Sequence, residues 1–325
     1  MEHGLELQNK KIDHAILLTG ASGFVGRALS LRLIELGVKL ICAVREPFSL
    51  PDAQMEVILD INEKTDWSRC LAGIDTVIHV AARVHVMQEV SGDPLAEFRR
   101  VNGAGTLNLA KQAVESGVKR FIFLSSIKVN GEETIDGVKL TEKDIPNPQD
   151  AYGVSKYEAE LGLFQIAKDT GLEVIIIRPP LVYGPDVKAN FASMLRWVHS
   201  RVPLPFGAVK NKRSFVYLGN LISLIICCIE HPDAANEIFF VSDGDDLSIS
   251  ELLNACAKAL GKRSLLFSVP PVVLMLLASM FGKRATAQRL LGSLQVDISK
   301  SKERLGWIPP ISVNDGLKET VRRIF

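Results

Sequence analysis

The sequence lacks most features that would set the protein apart from ordinary globular proteins. Aromatic residues make up 6% of its 325 residues, and 38 lysines and arginines against 37 aspartates and glutamates leave a net charge of +1. We therefore expect neither a nucleic acid nor an acidic membrane surface as a partner. No internal repeat or low-complexity segment is present, so nothing indicates a repeat architecture.

Cysteine is also scarce. The five cysteines show no metal-ligand spacing, so we expect no metal site. Their odd number suits a reducing cytoplasm better than a disulfide framework. Cys227 and Cys228 lie in an apolar run and are predicted to be buried thiols. Residues 1–13 are polar, so we expect no signal peptide and a cytoplasmic protein.

No hydrophobic run is long enough to predict a membrane span. Residues 265–281 are almost wholly apolar, but a spanning helix needs roughly 20 apolar residues, and Pro270 and Pro271 interrupt this run. We interpret it as a strand and then a helix with proline at its start, packed within a smaller lobe. Membrane contact is not expected, because an interfacial helix would need a strongly polar face.

Near the N-terminus the sequence does contain a glycine-rich turn between a strand and a helix. Residues 14–18 are typical of a buried strand, and the apolar residues after the turn recur at helical spacing. Gly20, Gly23 and Gly26 would let backbone N–H groups approach a pyrophosphate at the positive end of the helix dipole. The spacing differs from the G-x-G-x-x-G fingerprint, and close packing alone could require these glycines. The position directly after the first strand favours dinucleotide binding.

Strands and helices alternate through the first half of the chain. Strands are predicted at residues 14–18, 39–44, 55–59, 76–80, 120–124 and 174–177, and helices at 67–71, 94–115 and 152–168. This alternation predicts an α/β protein with a Rossmann-type, doubly wound parallel sheet, whose site lies at the C-terminal ends of the strands.

Prolines break this rhythm after Arg178 and indicate a smaller, mixed α/β substrate-binding lobe. We predict a dinucleotide-binding Rossmann domain over residues 1–180 and a mainly substrate-binding lobe over 181–325. Later segments, such as 214–243, are expected to return to the first domain, with a last strand at 239–241. A further amphipathic helix is predicted over 249–260.

A tyrosine and a lysine stand four residues apart on the predicted helix after the fifth strand. Tyr152 and Lys156 therefore share one face of that helix. A free tyrosine has a pKa of about 10, and a nearby ammonium and an oxidised nicotinamide both favour the phenolate. An exposed pair would have no such role, but Ser125 and Ser126 at the end of the fifth strand could place a hydroxyl beside the tyrosine.

Together these motifs resemble the short-chain dehydrogenase/reductase superfamily. Residues 178–185 (RPPLVYGP), 213–216 (RSFV) and 305–309 (LGWIP) look like its extended branch, which acts on nucleotide-diphosphate sugars. The resemblance implies that Tyr152 is the catalytic acid/base and Ser126 its hydroxyl partner. It also implies that Lys156 holds the nicotinamide ribose and lowers the pKa of the tyrosine.

The resemblance also implies a set of cofactor-binding residues. Asn102 matches a position near the cofactor, and Asp60 matches the residue that usually meets the adenine, although a strand-end turn residue is an alternative interpretation of Asp60. The expected cofactor-binding set is Gly20, Ser22, Gly23, Phe24, Val25, Gly26, Arg45, Asp60, Ile61, Ala81, Ala82, Asn102, Tyr152, Lys156 and Pro179.

The end of the second strand indicates which dinucleotide is bound. An acidic residue there would select NAD through the ribose 2′-OH, whereas an arginine can pair with a 2′-phosphate. Val44 stands where the NAD-retaining 4-epimerases of this family carry aspartate, and Arg45 follows it. We therefore favour NADP(H), with NAD(H) as the alternative, and predict that Arg45→Asp weakens the binding of NADPH far more than that of NADH.

The predicted substrate is a nucleotide-diphosphate sugar, with uridine as the expected base. By resemblance Arg213 and Asn190 meet its diphosphate, and Arg289 is a weaker candidate because a solvated helix charge explains it equally well. Ser125 and Ser126 are the expected contacts to the sugar. Arginines suit a diphosphate because the guanidinium makes planar two-point contacts.

Departures from the family pattern narrow the reaction. The 4,6-dehydratases carry Asp-Glu after the catalytic hydroxyl, where this chain has Ile127 and Lys128, so dehydration is not expected. Asn130 and Leu181 also depart from common family residues near the sugar or uridine. The histidines form no cluster, and His79 is predicted to be a packed core residue.

The leading prediction is therefore NADP(H)-dependent reduction at C4 of a UDP-4-keto-6-deoxy-N-acetylhexosamine in bacterial polysaccharide biosynthesis. The alternative is an NAD-retaining UDP-glucose or UDP-N-acetylglucosamine 4-epimerase. A non-catalytic dinucleotide-binding protein is a third possibility, which the presence of Tyr152, Lys156 and Ser126 disfavours. The resemblance also implies a homodimer packed through the helices at 94–115 and 152–168.

Overall fold

A computed structural model describes residues 14–84, 93–135 and 137–325. In these ranges, seven strands pair in parallel to form one sheet of order β3-β2-β1-β4-β5-β6-β9. The strands are β1 (Ala15–Thr19), β2 (Lys39–Val44), β3 (Ala53–Val57), β4 (Thr76–His79), β5 (Arg120–Leu124), β6 (Glu173–Arg178) and β9 (Glu237–Phe240). A smaller parallel pair consists of β7 (Leu181–Tyr183) and β8 (Phe215–Tyr217). The predicted doubly wound α/β fold is confirmed.

Helices cover both faces of the large sheet. In the first half they are α1 (Phe24–Glu35), α2 (Ser68–Leu71), α3 (Pro94–Phe98), α4 (Thr106–Glu115) and α5 (Ala151–Thr170). The second half contains α6 (Ala189–His199), α7 (Leu218–Glu230), α8 (Ile249–Ala259), α9 (Pro271–Met280), α10 (Arg284–Leu291), α11 (Ser299–Leu305) and α12 (Val313–Ile324). A π-helical segment, Arg99–Gly105, joins α3 to α4, so the helix predicted over 94–115 is present with a wider central turn.

Two apolar cores lie on opposite faces of the sheet. Successive side chains of a strand point to opposite faces, and both faces of a parallel sheet are covered by helices. Ile16 and Leu18 of β1 accordingly enter the core that contains residues of α1 and α7. Leu17 enters the core that contains residues of α4 and α5. The sheet is thereby fixed from both sides, and its carboxyl edge carries the loops that build the site.

Several element boundaries differ from the prediction. β3 spans Ala53–Val57, whereas the sequence predicts 55–59, because no residue of this edge strand is fully buried and its apolar pattern is a poor guide to its pairing with β2. Helix α5 begins after Asp150, whose carboxylate accepts the Gly153 N–H at 2.7 Å. It ends at Gly171, whose φ of +80° is the left-handed conformation that favours glycine after a helix.

β9 pairs with β6, and α7 packs in the first core. A third core in the second half of the chain is formed chiefly by α6, α8 and α12 together with β7 and β8. The cysteines are buried except Cys227, which is partly buried. No helix within the described ranges has the length and apolar content needed to cross a bilayer.

Helix α9 does not pack as the sequence analysis expects. It begins at Pro271 as predicted, but none of its residues is buried. The third core is filled by residues of α6, α8 and α12, and Leu274 is the one residue of α9 that packs against it. The expectation of a helix packed inside the smaller lobe is therefore wrong.

Candidate active site

A cleft of about 810 Å³ opens at the carboxyl ends of β1, β2, β4 and β5. Two of the three predicted catalytic residues, Tyr152 and Lys156, reach it from the first turns of α5, and Ser126 reaches it from the end of β5. The other predicted residues that line it are Gly20, Ser22, Gly23, Phe24, Val25, Gly26, Arg45, Asp60, Ile61, Ala81, Ala82, Ser125 and Pro179. The cleft therefore joins the glycine turn to the tyrosine and lysine.

The glycine turn has the tight geometry that its sequence indicates. Gly20 has φ of +74°, and a Cβ there would lie 2.7 Å from the Ala81 nitrogen. A Cβ on Gly26 would lie only 2.1 Å from the Gly20 oxygen, so a side chain would force the turn apart from helix α1. The Gly23 N–H donates to the Gly20 oxygen at 2.9 Å. The turn therefore brings main-chain N–H groups and the start of α1 to the cleft, an arrangement that fits a pyrophosphate.

His79 supports this turn from within the sheet. Its two ring nitrogens lie 2.7 Å from Thr19 Oγ1 and 3.0 Å from Thr106 Oγ1, and Thr19 Oγ1 also accepts the Ala81 N–H. Burial, with a smaller contribution from Lys156, lowers the pKa of His79 to about 3. His79 is the neutral core residue that the sequence predicts, and no cluster of metal-binding side chains occurs among the described residues.

Lys156 is held rigidly on the inner wall of the cleft. Its side chain is 1% exposed, its ammonium donates to the Leu124 oxygen at 2.8 Å, and its Nζ lies 4.3 Å from the centre of the Phe123 ring. Burial lowers its pKa to about 7, against a smaller raising effect of Glu160. This lysine can therefore exchange its proton near neutral pH.

Tyr152 is partly buried beside Lys156, whose Nζ lies 6.0 Å from the centre of the tyrosine ring. Its ring meets Phe98 edge to face at 6.1 Å. Burial raises the pKa of Tyr152, and the negative charge of Asp150 raises it further. From the sequence, the pKa of Tyr152 is expected to be lowered by Lys156. The groups of the protein itself do not lower it, because Lys156, 6.0 Å from the tyrosine ring, is buried and has a pKa of only about 7.

The two adjacent serines at the end of β5 have different surroundings. Ser126 is partly exposed to the cleft, and its hydroxyl accepts the Lys128 N–H at 3.3 Å. Ser125 is buried, and its hydroxyl donates to the Glu160 carboxylate at 2.5 Å. Ser126 is thus the better placed of the two for a substrate oxygen.

Behind Ser125 lies a buried ion pair that the sequence analysis does not predict. Arg178 and Glu160 are each no more than 2% exposed, and Arg178 Nε donates to Glu160 Oε1 at 3.0 Å, with a second bond between Nη2 and Oε2. Arg178 also donates to the Asn130 side-chain oxygen at 2.8 Å. The pair joins α5 to β6 behind this wall of the cleft. Glu160 stands one turn beyond Lys156, beside the apolar Ala159 and Leu163, and an acidic residue in that place is the sequence signal that could have revealed the pair.

Asn102 does not line the cleft but supports its wall. It is 1% exposed, accepts the Arg83 N–H at 2.8 Å and donates to the Arg83 oxygen and to Ser155 Oγ. Asp60 lines the cleft and forms an ion pair with Arg100, a cleft residue missed in the sequence because only the fold brings it to Asp60. Arg45 is exposed at the carboxyl end of β2, at the position where it is expected.

The three residues expected to meet the diphosphate lie outside the cleft lining. Arg213 donates to the Gly292 oxygen at 3.0 Å, and burial lowers its pKa against the raising effects of Glu133 and Glu132. Arg289 on α10 forms an ion pair with Glu132 at 3.0 Å. Asn190 is exposed in the first turn of α6. Their roles in binding substrate stay predictions.

Lys128 belongs to the same cluster of charged side chains as Arg289 and Glu132. It forms ion pairs with Asp150 and with Glu132, at 3.2 Å for the latter. Burial alone would raise the pKa of Asp150, but the Lys128 ammonium and the Gly153 N–H lower it overall. The position that is acidic in dehydratases thus holds a cation here, and that cation is bound to the residue that caps the helix of Tyr152.

Comparison with known proteins agrees with this geometry. The family model described as "NAD dependent epimerase/dehydratase family" matches residues 16–242. The UDP-glucose 4-epimerase of Vibrio cholerae is 48% identical over 316 residues, covering 97% of this chain and 96% of the relative. The N-acetyl-alpha-D-glucosaminyl-diphospho-ditrans,octacis-undecaprenol 4-epimerase of Escherichia coli O157:H7 is 27% identical, covering 95% of each chain.

A solved structure extends the comparison to bound ligands. The protein MoeE5, in complex with UDP-glucose and NAD, has a TM-score of 0.75 and 25% identity to this chain. The match covers 95% of this chain and 98% of that structure. The likeness therefore includes the second half of both chains as well as the dinucleotide-binding sheet.

Proposed function

The chain is an enzyme of the NAD dependent epimerase/dehydratase family, in the extended short-chain dehydrogenase/reductase branch, and on that premise we propose that it is a UDP-sugar 4-epimerase. Such an enzyme inverts the configuration of the C4 hydroxyl of the hexose. The 48% identity to a UDP-glucose 4-epimerase over nearly the whole chain supports epimerisation more strongly than the 4-keto reduction favoured by the sequence analysis.

The observation that carries the proposal is the placement of Tyr152, Ser126 and Lys156 on one cleft that ends in the glycine turn. Gly20, Gly23 and Gly26 would hold a nicotinamide dinucleotide, and the chemistry that this cofactor would supply at the sugar C4 is reversible hydride transfer. Tyr152 would take the proton of the C4 hydroxyl during oxidation and give it back during reduction. Ser126 would hydrogen-bond the C4 oxygen and stabilise the charge that develops there.

Lys156 would have two roles in this arrangement. Its ammonium, held by the Leu124 oxygen, would hydrogen-bond the nicotinamide ribose and stabilise the Tyr152 phenolate. With a pKa of about 7, it would be partly protonated at neutral pH. Tyr152 has a raised pKa in the protein alone, so we propose that it keeps its proton until a cationic cofactor and substrate are bound.

The cofactor of the proposed epimerase is NAD. The family description and the NAD bound to MoeE5 support an NAD-type dinucleotide. The alternative, the preference for NADP(H) expected from the sequence, depends on Arg45 and on the absence of a carboxylate at position 44, where this chain has Val44. Titrating the protein with NADH and NADPH by fluorescence, with Arg45→Asp alongside, tests this preference. Equal weakening of both dinucleotides by Arg45→Asp would remove the argument for NADP(H).

Reduction of a UDP-4-keto sugar is the second candidate, and the same feature of β2 favours it. Arg45 offers donors to a 2′-phosphate but no acceptor to a ribose hydroxyl, which suits a cofactor that carries that phosphate. A reductase releases oxidised cofactor in each turnover, whereas an epimerase retains it. Net consumption of NADPH with a UDP-4-keto-6-deoxy-N-acetylhexosamine would establish the reductase.

The test of the proposed function is interconversion of UDP-glucose and UDP-galactose, or of their N-acetyl forms, without added cofactor. We expect Tyr152→Phe to lower kcat by about 10²–10⁴-fold, because the proton acceptor is lost. Tyr157→Phe, five residues along the same helix, is the matched control and should retain activity. Unchanged activity in Tyr152→Phe, with dinucleotide still bound, would show that another group carries the proton.

The diphosphate of the substrate would be bound by Arg213, Arg289 and Asn190. Arg289 would then have to exchange its ion pair with Glu132 for the phosphate. A lipid-linked diphosphate sugar has the same group, and the undecaprenol-linked substrate named for the Escherichia coli relative supports including it in the substrate screen. The homodimer through α3, α4 and α5 stays a prediction.

A further inference from the structure

Helix α9 exposes apolar side chains along one continuous face. Val272, Leu276 and Met280 stand four residues apart and are 70%, 61% and 81% exposed. Three further apolar side chains are also exposed: Leu277 and Phe281 at the C-terminal end of the helix, and Phe267 just before its start. We call these six side chains the apolar patch. Single exposed apolar residues are ordinary, but a continuous group marks an interaction surface.

The attachment of α9 to the protein leaves this patch facing outward. Leu274, on the opposite side of the helix, packs against the third core. Just before the helix, the segment containing Phe267 is fixed by main-chain bonds to Leu204 and Gly207. A helix of ten residues is about 15 Å long, which is half the thickness of a bilayer core. It can therefore lie along a membrane surface but cannot cross it.

The segment of chain that carries the patch contains charges of one sign, although one of them, Arg289, is paired with Glu132 from another segment. Residues 252–296 contain six lysines and arginines and no aspartate or glutamate, although the whole chain has a net charge of only +1. Arg263, Lys283 and Arg284, close to the two ends of the apolar run, are exposed. Cations that flank an exposed apolar helix favour an anionic lipid surface, where the apolar groups enter the acyl boundary and the cations meet headgroups.

A second copy of the chain fits this surface less well. In a two-fold dimer the same patch meets itself, so Lys283 and Arg284 of each copy would approach like charges. The six patch side chains carry no hydrogen-bonding group, whereas protein interfaces surround their apolar centre with polar contacts. Lipid acyl chains require no such contacts.

We propose that the apolar patch is a peripheral membrane-docking surface that inserts into bilayers containing anionic phospholipids. From the sequence alone, membrane contact is not expected, because α9 has no polar face of its own. In the structure the third core packs against α9 on the side of Leu274, so the helix needs no polar face of its own. The inference is independent of the proposed reaction, because it uses none of the cleft residues.

Sedimentation with vesicles tests the proposal. The full chain is mixed with phosphatidylglycerol/phosphatidylcholine vesicles or with phosphatidylcholine vesicles alone, at low and high salt. We expect tighter partitioning onto the anionic vesicles by about tenfold or more, reduced by salt. Lys283→Ala and Arg284→Ala should each weaken it by about fivefold.

A triple variant, Leu276→Gln with Met280→Gln and Phe281→Gln, should weaken partitioning by about tenfold or more, because it removes most of the inserted apolar area. The matched control is Leu31→Gln with Ile145→Gln and Ile308→Gln, three exposed apolar residues elsewhere, and it should bind like the wild type. Circular dichroism checks that each variant is folded. If the triple variant does not fold, Lys283→Ala and Arg284→Ala provide the test.

Two results would overturn the proposal. One is wild-type protein that stays in solution with anionic vesicles, or that binds them equally well after the apolar and charge substitutions. The other comes from light scattering: a dimer that becomes a monomer in the triple variant, with vesicle binding unchanged, would show that a second copy covers the patch. Tyr152→Phe should bind vesicles like the wild type, so loss of activity and loss of docking remain distinguishable.

Discussion

Two regions of the molecule depart in opposite directions from the usual distribution of side chains. Behind the cleft, the charged residues Lys156, Glu160 and Arg178 are each no more than 2% exposed. On α9, apolar residues such as Leu276 and Met280 are more than half exposed. Buried charge and a large exposed apolar surface are the informative exceptions in a globular protein. The first region lies behind the proposed catalytic residues, and the second is the surface that we propose docks on a membrane.

Comparison of α7 with α9 shows that apolar composition does not decide burial. Both helices are dominated by aliphatic residues, yet most of α7 is buried and none of α9 is. Helix α7 joins β8 to β9, and that connection returns the chain to the face of the large sheet. Helix α9 belongs to a segment that packs beside the third core, and the chain returns to the first core only after it, through residues such as Leu305 and Trp307. Topology therefore determines which apolar helix enters a core.

The largest effect is expected from breaking the buried ion pair. Glu160→Ala leaves the Arg178 guanidinium buried without its carboxylate and removes the acceptor of Ser125, so we expect a loss of roughly 3–5 kcal/mol in the free energy of unfolding. Urea denaturation measures it. The matched control is Glu158→Ala on the same helix. Its ion-pair partner Arg99 is half exposed, so the free energy of unfolding should fall by no more than about 1 kcal/mol.

A similar small loss for both glutamates would break the comparison. It would show that water reaches Arg178 and that the region behind the cleft is not a dry, charged interior. The difference between the stability losses of Glu160→Ala and Glu158→Ala therefore measures how strongly burial strengthens the ion pair.

A second test concerns the pH dependence contributed by Lys156. Its pKa is about 7 in the folded protein against 10.5 for the free side chain. Between these values the unfolded chain binds the additional proton, so the contribution of Lys156 to stability rises with pH and is lost as pH falls through 7. Relative to Lys156→Met, the wild-type free energy of unfolding should rise by up to about 1.4 kcal/mol per pH unit.

Urea denaturation of both proteins at pH 7, 8, 9 and 10 measures this difference. The thiols and tyrosines that titrate in the same range are common to both proteins and cancel. A difference that stays constant with pH would mean that Lys156 keeps an ordinary pKa, and its ammonium would then be solvated.

The sequence predicts the first of these regions far better than the second. The strands, the glycine turn and the tyrosine-lysine spacing are local patterns, and each is present in the structure, with β3 displaced by two residues from the prediction. The sheet order and the cleft follow because parallel strands meet at one edge. The pair of Glu160 with Arg178 could not be predicted in the same way, because the two residues meet only after α5 packs on β6.

The second region shows the limit of a composition argument. Residues 265–281 are predicted to be a strand and a helix, and a proline does begin the helix. The apolar content of this segment predicts that it is buried, but burial requires space in a core. Whether space remains depends on α6, α8 and α12, which are distant in sequence. The acid-free segment around α9 was visible in the sequence, and it is the signal that distinguishes this helix from a core helix such as α7.

The smallest effect is expected on α9 itself, and it is the sharpest test of the comparison. Leu276→Ala should change the free energy of unfolding by no more than about 0.5 kcal/mol, because the side chain is already in water. The matched control, Leu224→Ala in α7, removes a side chain with 0% exposure and should cost roughly 2–5 kcal/mol. Both are measured by urea denaturation without lipid. If Leu276→Ala costs more than about 2 kcal/mol, the leucine is buried in solution, either within the chain or against a second copy. The contrast between the two helices, and with it the docking surface, would then be lost.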